Sequence, residues 1–176
     1  VMGPTGAGKS TFIDYATRQN SQAIGHGLRS CTEAIRTVRV NHPNDDRPVV
    51  FVDVPGFDNT FKSDVEIFAM IIDWFVKTYK RNNFLVTIIY LHRITDNHMS
   101  GTMLRNLRMF ANLCGQDAMP NVIVATTMWS EVKTAKGELR EQELERYFLE
   151  SMVADGCKIK RFEDSYGSAW RIVGSL

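Results

Sequence analysis

Near the start of the chain, Gly3-Pro4-Thr5-Gly6-Ala7-Gly8-Lys9-Ser10 sets three glycines, a lysine and a hydroxyl at the G-x-x-x-x-G-K-[ST] spacing. That spacing suits the binding of a polyphosphate. Glycine lets a backbone approach an anion closely, and successive N–H groups ahead of a helix point at it. Lys9 is long enough to reach the β- and γ-phosphates, and the Ser10 hydroxyl is a hard oxygen ligand for Mg²⁺. The amides of Thr5, Gly6, Ala7, Gly8, Lys9, Ser10 and Thr11 are therefore expected to hold phosphate, and Lys9 to neutralise its tail.

A second constellation lies at Asp53-Val54-Pro55-Gly56. An aspartate at the end of a buried strand can support Mg²⁺ through water, and a glycine three residues on can offer its amide to a γ-phosphate. Asp-x-Pro-Gly is also an ordinary turn sequence. Its weight comes from standing after a strand and downstream of the glycine-rich loop.

These residues need strands and helices to present them. A phosphate loop is fed by a buried strand, and Val1-Met2 reads as the end of one, cut short at the N-terminus. A helix is predicted from Lys9 to about residue 20, a loop over 21–34, and strands at Ile35–Val40 and Val49–Val54 forming an edge hairpin. Ser63-Asp64-Val65-Glu66 is a capping box opening a helix with Phe68, Ile71, Ile72, Phe75 and Tyr79 as its core face. A buried strand is predicted at Phe84–Leu91, a helix through Met103, Leu104, Leu107, Phe110 and Ala111 to Gly115, and a strand at Asn121–Thr127. Glu138–Ala154 reads as a surface helix with Leu144, Phe148 and Met152 facing the core. A last strand, Lys158–Phe162, precedes a short helix through Trp170 and Ile172. Alternating strands and helices imply an α/β fold, a three-layer sandwich around a mainly parallel, doubly wound sheet with one antiparallel edge strand. Ligand binds such sheets at the carboxyl ends of the strands.

The 176 residues are 44% apolar, which suits one domain over 1–176. With 21 basic and 20 acidic residues the formal charge is +1, so charge gives no reason to invoke nucleic acid or an anionic membrane as partner. Cys31, Cys114 and Cys157 are odd in number and widely spaced, which fits a reducing, cytoplasmic setting better than a disulfide frame or zinc site.

Together, the phosphate loop, the hairpin and Asp53–Gly56 resemble the G domain of translation-factor-class GTPases. Gly3–Thr11, Ser30-Cys31-Thr32 and Asp53-Val54-Pro55-Gly56-Phe57 are most similar to the septin-like branch, which includes the immunity-associated and chloroplast import-receptor GTPases. The resemblance covers nearly the whole chain. It implies a P-loop GTPase fold, GTP as ligand, and Mg²⁺ held by Ser10 and Thr32 with Asp53 in support. Gly56 would report the γ-phosphate, 57–62 would form switch II, and two chains would pair across the nucleotide face.

Two positions depart from that pattern. Ras-like enzymes carry a water-orienting glutamine directly after Asp-x-x-Gly, where this chain has Phe57. Slow intrinsic hydrolysis is expected, with Arg29, His26 or a group from a second subunit as the candidate substitute; Arg29 stands three residues before Thr32. Guanine-specific relatives carry Asn/Thr-Lys-x-Asp where this chain has Thr126-Thr127-Met128-Trp129. The carboxylate that discriminates guanine is absent, an indole offers one N–H, and Glu131 lies two residues on. Residues 126, 127 and 129 are expected to border the base, with GTP implied by the resemblance and ATP left open. Hydrolysis coupled to switch-loop motion and self-association is the expected function; a nucleotide-loaded assembly module with negligible turnover and a small-molecule kinase are its rivals.

Overall fold

Three parallel strands, β3 (Ile88–Arg93), β4 (Val122–Thr127) and β5 (Lys158–Arg161), form one part of the sheet. β1 (Arg36–Asn41) and β2 (Pro48–Asp53) form an antiparallel hairpin in register Arg36↔Asp53 to Asn41↔Pro48. The computed structural model describes residues 1–18, 34–44, 46–58, 62–79, 87–97, 105–106, 109, 112 and 115–174, the side chains of 75, 79 and 116 excepted. Residues 1–4 stitch the two parts together. Met2 N donates to Ile89 O and Leu91 N to Met2 O, both at 2.8 Å, while Phe57 N donates to Gly3 O at 3.2 Å. The lateral order is β1, β2, residues 1–4, β3, β4, β5, with the hairpin strand β1 at an edge as expected.

Side-chain alternation in β3 and β4 builds a layer on each face. Tyr90, Val122 and Val124 pack with Ile67, Phe68 and Ile71 of α2 (Asp64–Tyr79), and with Leu144, Leu149 and Met152. Ile89, Leu91, Ile123 and Ala125 pack on the opposite face with Phe12 and Ile13 of α1 (Lys9–Thr17) and Trp170 and Ile172 of α5 (Tyr166–Val173). The Trp170 indole N–H donates to Ala16 O at 2.9 Å, joining the two helices of this layer. Helix, sheet and helix make the three-layer sandwich.

Local signals held at α2: Ser63 N donates to Glu66 Oε2 at 2.8 Å and Glu66 N to Ser63 Oγ at 3.3 Å. Within α2, Phe68 and Ile71 are buried as expected, while Ile67 joins them in the core and Ile72 is 46% exposed. β3 runs on to Arg93, two residues past the predicted end at Leu91; positions 84–86 lie outside the described residues. Of the helix predicted before Gly115, positions 105, 106, 109 and 112 are helical, and Met103, Leu104, Leu107, Phe110, Ala111 and Cys114 lie outside the described residues.

The predicted helix at 138–154 begins earlier, as α3 (Thr134–Glu143), and is interrupted by a π-helical turn at Leu144–Phe148 before α4 (Glu150–Ala154). Leu149 N donates to Leu144 O at 3.0 Å, a wider turn that admits one extra residue and rotates the rest of the helix. Leu149 is consequently fully buried and Phe148, the expected core residue, is 37% exposed. Leu149→Ala is expected to destabilise the fold by about 2–5 kcal/mol and Phe148→Ala by about 1 kcal/mol or less, measured by chemical denaturation. Equal losses would place the phase shift elsewhere.

Candidate functional site

Residues 1–4 leave the sheet between β2 and β3, so the glycine-rich turn emerges at the carboxyl edge of the parallel strands. Thr5 N donates to Phe57 O at 2.8 Å, holding the turn against the segment after β2. Gly8 stands at the N-cap of α1 with φ +87°, a left-handed conformation that favours glycine. No side chain caps α1, so its first amides face outward as anion donors.

Lys9 lies along this loop, its ammonium donating to Gly3 O at 3.1 Å and Pro4 O at 2.9 Å. It is 7% exposed. Burial lowers its pKa to about 8, against the attraction of Asp53 and with the repulsion of Arg93 adding to the fall. Such an ammonium gains from a phosphate that restores its solvation.

Beside it, Ser10 Oγ donates to Asp53 Oδ2 at 2.9 Å. Asp53 is 5% exposed, and its Oδ1 is buried without a hydrogen-bond partner among the described residues. A hydroxyl and a carboxylate with one oxygen unclaimed are hard donors. These residues fit a hydrated Mg²⁺, with Ser10 as ligand and Asp53 in support. Thr5 Oγ1 is likewise buried and unpartnered. Gly56 lies directly against Thr5: a Cβ there would come within 2.7 Å of the Thr5 backbone nitrogen and Cα. The second motif thus packs onto the first, as its placement after the hairpin implied.

Phe57 contributes backbone only. Its ring is fully buried and stacked on Phe68, with centroids 4.8 Å apart. The residue where Ras-like enzymes keep a glutamine is here a core anchor for α2. Thr32 and Arg29, with His26 and Cys31, lie outside the described residues.

At the end of β4 the two threonines diverge. Thr127 Oγ1 donates to Ala7 O at 3.1 Å, bracing the phosphate loop. Thr126 faces the other layer, its hydroxyl donating to Glu141 Oε1 at 3.1 Å and accepting the Trp129 indole N–H at 3.0 Å. The Trp129 ring carries the Arg161 guanidinium 4.2 Å from its centroid, and Arg161 is paired at 2.5 Å with Glu141. Gly137 leaves the room for that ring, since a Cβ there would meet it at 2.7 Å. Of the three residues expected at the base, Thr127 therefore reaches the phosphate loop, while Thr126 and Trp129 are engaged with α3 and β5. Sequence reasoning did not find the brace from Thr127, because Ala7 is remote in the chain and period-2 alternation alone separates Thr127 from Thr126.

A carboxyl-edge phosphate loop, a lysine within it, and a paired serine and aspartate on a three-layer α/β fold define a P-loop nucleoside-triphosphatase domain. Residues 1–127 match the model of the 50S ribosome-binding GTPase family, and the chain belongs to that family. It is 28% identical over 113 residues to GTPase Era of Mycoplasma genitalium, a match over 64% of this chain and 37% of Era's length. In fold it is similar to Toc33 of Arabidopsis thaliana, solved in complex with Mg²⁺ and GMPPNP, with a TM-score of 0.63 at 13% identity over 93% of this chain and 69% of that one. The bacterial selenocysteine-specific elongation factor EF-Sec gives a TM-score of 0.61 at 16% identity, over 99% of this chain and 28% of its own.

Gly56→Ala is expected to weaken binding of a magnesium triphosphate about tenfold or more, the scale of a 1–3 kcal/mol overpacking strain; titration calorimetry would show it. His92, 8% exposed at the end of β3, supplies a separate test through pH. Burial lowers its pKa from 6.5 to about 4, with Asp96 opposing the fall and Arg93 adding to it. The unfolded chain therefore binds the proton first as pH drops. Stability present above pH 6.5 is lost toward pH 4, by up to roughly 3 kcal/mol from this group. Thermal melts of His92→Leu should lose that much less than wild type across the window; parallel curves would contradict it.

Proposed function

We propose that this domain binds GTP with Mg²⁺ and hydrolyses the β–γ bond slowly, using the segments around Thr32 and 57–62 as switches that control pairing of two chains. The observation that carries the proposal is the Ser10–Asp53 hydrogen bond beside the Lys9 ammonium. GTP is supported by membership of a GTPase family, and the magnesium site by the free Asp53 Oδ1. Pairing is supported by the chloroplast translocon components atToc33 and psToc159, for whose GTPase activity dimerization is important. A cytoplasmic location, proposed with it, rests on the cysteine pattern.

In this reading Lys9 and the loop amides hold the β- and γ-phosphates, and Thr127 keeps the loop in shape. Ser10, Thr32 and Asp53 would hold Mg²⁺, which when bound would supply neutralisation of the phosphate charge. A water oxygen bonds to the γ-phosphorus in line as the bond to the bridging oxygen breaks. That electron pair leaves on the β-phosphate, and the water's proton ends on the released phosphate. Acceleration comes from fixed charge more than from a base, because Phe57 is committed to the core. That burial also favours the second reading, a nucleotide-loaded module with negligible turnover.

Purified protein with Mg-GTP and, in parallel, Mg-ATP separates these readings. Phosphate release from GTP well above a Lys9→Ala control is the expected result. Triphosphate retained intact supports the module, and equal rates with ATP would remove guanine preference, which neither Thr127 nor Trp129 enforces in the manner of Lys-x-Asp. Light scattering with GMPPNP against GDP is expected to show a larger species with GMPPNP; a monomer in both would refute pairing.

A further inference from the structure

We propose that Arg93 is a phosphate-contacting residue of this site, its guanidinium meeting the terminal phosphoryl group of the bound triphosphate from the end of β3. The inference rests on the triphosphate reading above and adds a residue to it. Arg93 closes β3, in register with Thr127 of β4, the threonine that braces the phosphate loop. Its Nη1 lies 3.3 Å from the position a Cβ on Gly6 would occupy. A Cβ at Gly6 would be in tight contact with the guanidinium, so the arginine head lies close against the loop.

Arg93 is also held in place. Its Nε pairs with Asp96 at 3.1 Å to Oδ1 and 3.2 Å to Oδ2, which fixes the head while engaging, among the described residues, only one of its nitrogens. The turn carrying Asp96 is clamped in turn by α3, for Arg140 Nη1 donates to Ile94 O at 2.9 Å and Thr95 O at 3.0 Å. Arg93's charge is felt at Lys9 on one side and at Asp58, just beyond Gly56-Phe57, on the other. It is thus within electrostatic reach of both the phosphate loop and the start of the segment expected to sense the γ-phosphate.

Two cations converging on one loop repel each other, and a surface ion pair with Asp96 alone does not require the approach to Gly6. A polyphosphate turns that repulsion into attraction to both. A planar guanidinium presents paired donors to phosphoryl oxygens, and an arginine so placed offsets the charge that grows as the β–γ bond breaks. This is the role the sequence offered to Arg29, here filled from a rigid strand end.

Affinities for Mg-GMPPNP and Mg-GDP, measured by calorimetry on wild type, Arg93→Ala, Arg93→Lys and Asp96→Asn, test the assignment, with thermal melts confirming that each variant folds. Arg93→Ala is expected to weaken GMPPNP about tenfold or more, as loss of a charged hydrogen bond does, and GDP less than about threefold. Arg93→Lys should recover part of the GMPPNP affinity but less of kcat, and Asp96→Asn, which loosens the tether, should fall between. GMPPNP and GDP weakening alike, or neither changing, would overturn the proposal even where wild type binds and hydrolyses GTP. Should Arg93→Ala not fold, Arg93→Lys and Asp96→Asn decide by the same difference between ligands. A wild type that binds no GMPPNP would sink the underlying triphosphate reading and this one with it.

Discussion

The hydrogen bond from Ser10 to Asp53 joins the first turn of α1 to the end of β2, 43 residues on. It sets the phosphate loop and the Asp-x-x-Gly turn in one frame, so that an ion held by either is seen by both. Everything around it keeps that frame rigid. Residues 1–4 hydrogen-bond to β3 on one side and to Phe57 on the other, and Thr127 holds the loop from β4. Neither Gly3 nor Gly56 can gain a side chain without striking the backbone of Leu91 or Thr5. The chemistry therefore sits on a joint between strands rather than on a free loop, which favours precise positioning.

The two faces of the sheet divide the work. The face covered by α1 and α5 meets the phosphate loop, whose Ala7 belongs to one buried cluster with Leu91 and Ala125. On the other face, Thr126, Glu141, Arg161 and Trp129 form one connected group. With Gly137 beneath the indole and Arg140 reaching the turn after β3, α3 frames the ends of all three parallel strands. Where guanine-reading relatives carry the Lys-x-Asp pair, this chain has a packed group of Thr126, Trp129, Glu141 and Arg161.

Much of this was legible in the residues. Lys9, Ser10, Asp53 and Gly56 were placed together by motif spacing, and the capping box, the hairpin and the alternation of strands and helices fixed the layers. What escaped is of two physical kinds. A π-helical turn shifts helical phase by one residue, so Leu149 replaces Phe148 in the core with no local signal. The indole of Trp129 is engaged by Arg161, 32 positions away, and the Arg93 approach to Gly6 spans 87. Such pairings arise from strand register, which periodicity along the chain does not encode. Arg29 and Thr32 fall outside the described residues, and their roles stay with the proposal.

We propose one triphosphate per chain at the centre, bound through the loop amides, Lys9 and a magnesium ion that Ser10 and Asp53 would hold. The most direct measurement is calorimetric titration of wild-type protein with GMPPNP, first with magnesium and then with the metal chelated. Saturable binding at one nucleotide per chain that weakens strongly on chelation is the predicted result. No heat of binding, or an isotherm indifferent to magnesium, would contradict the account at its base.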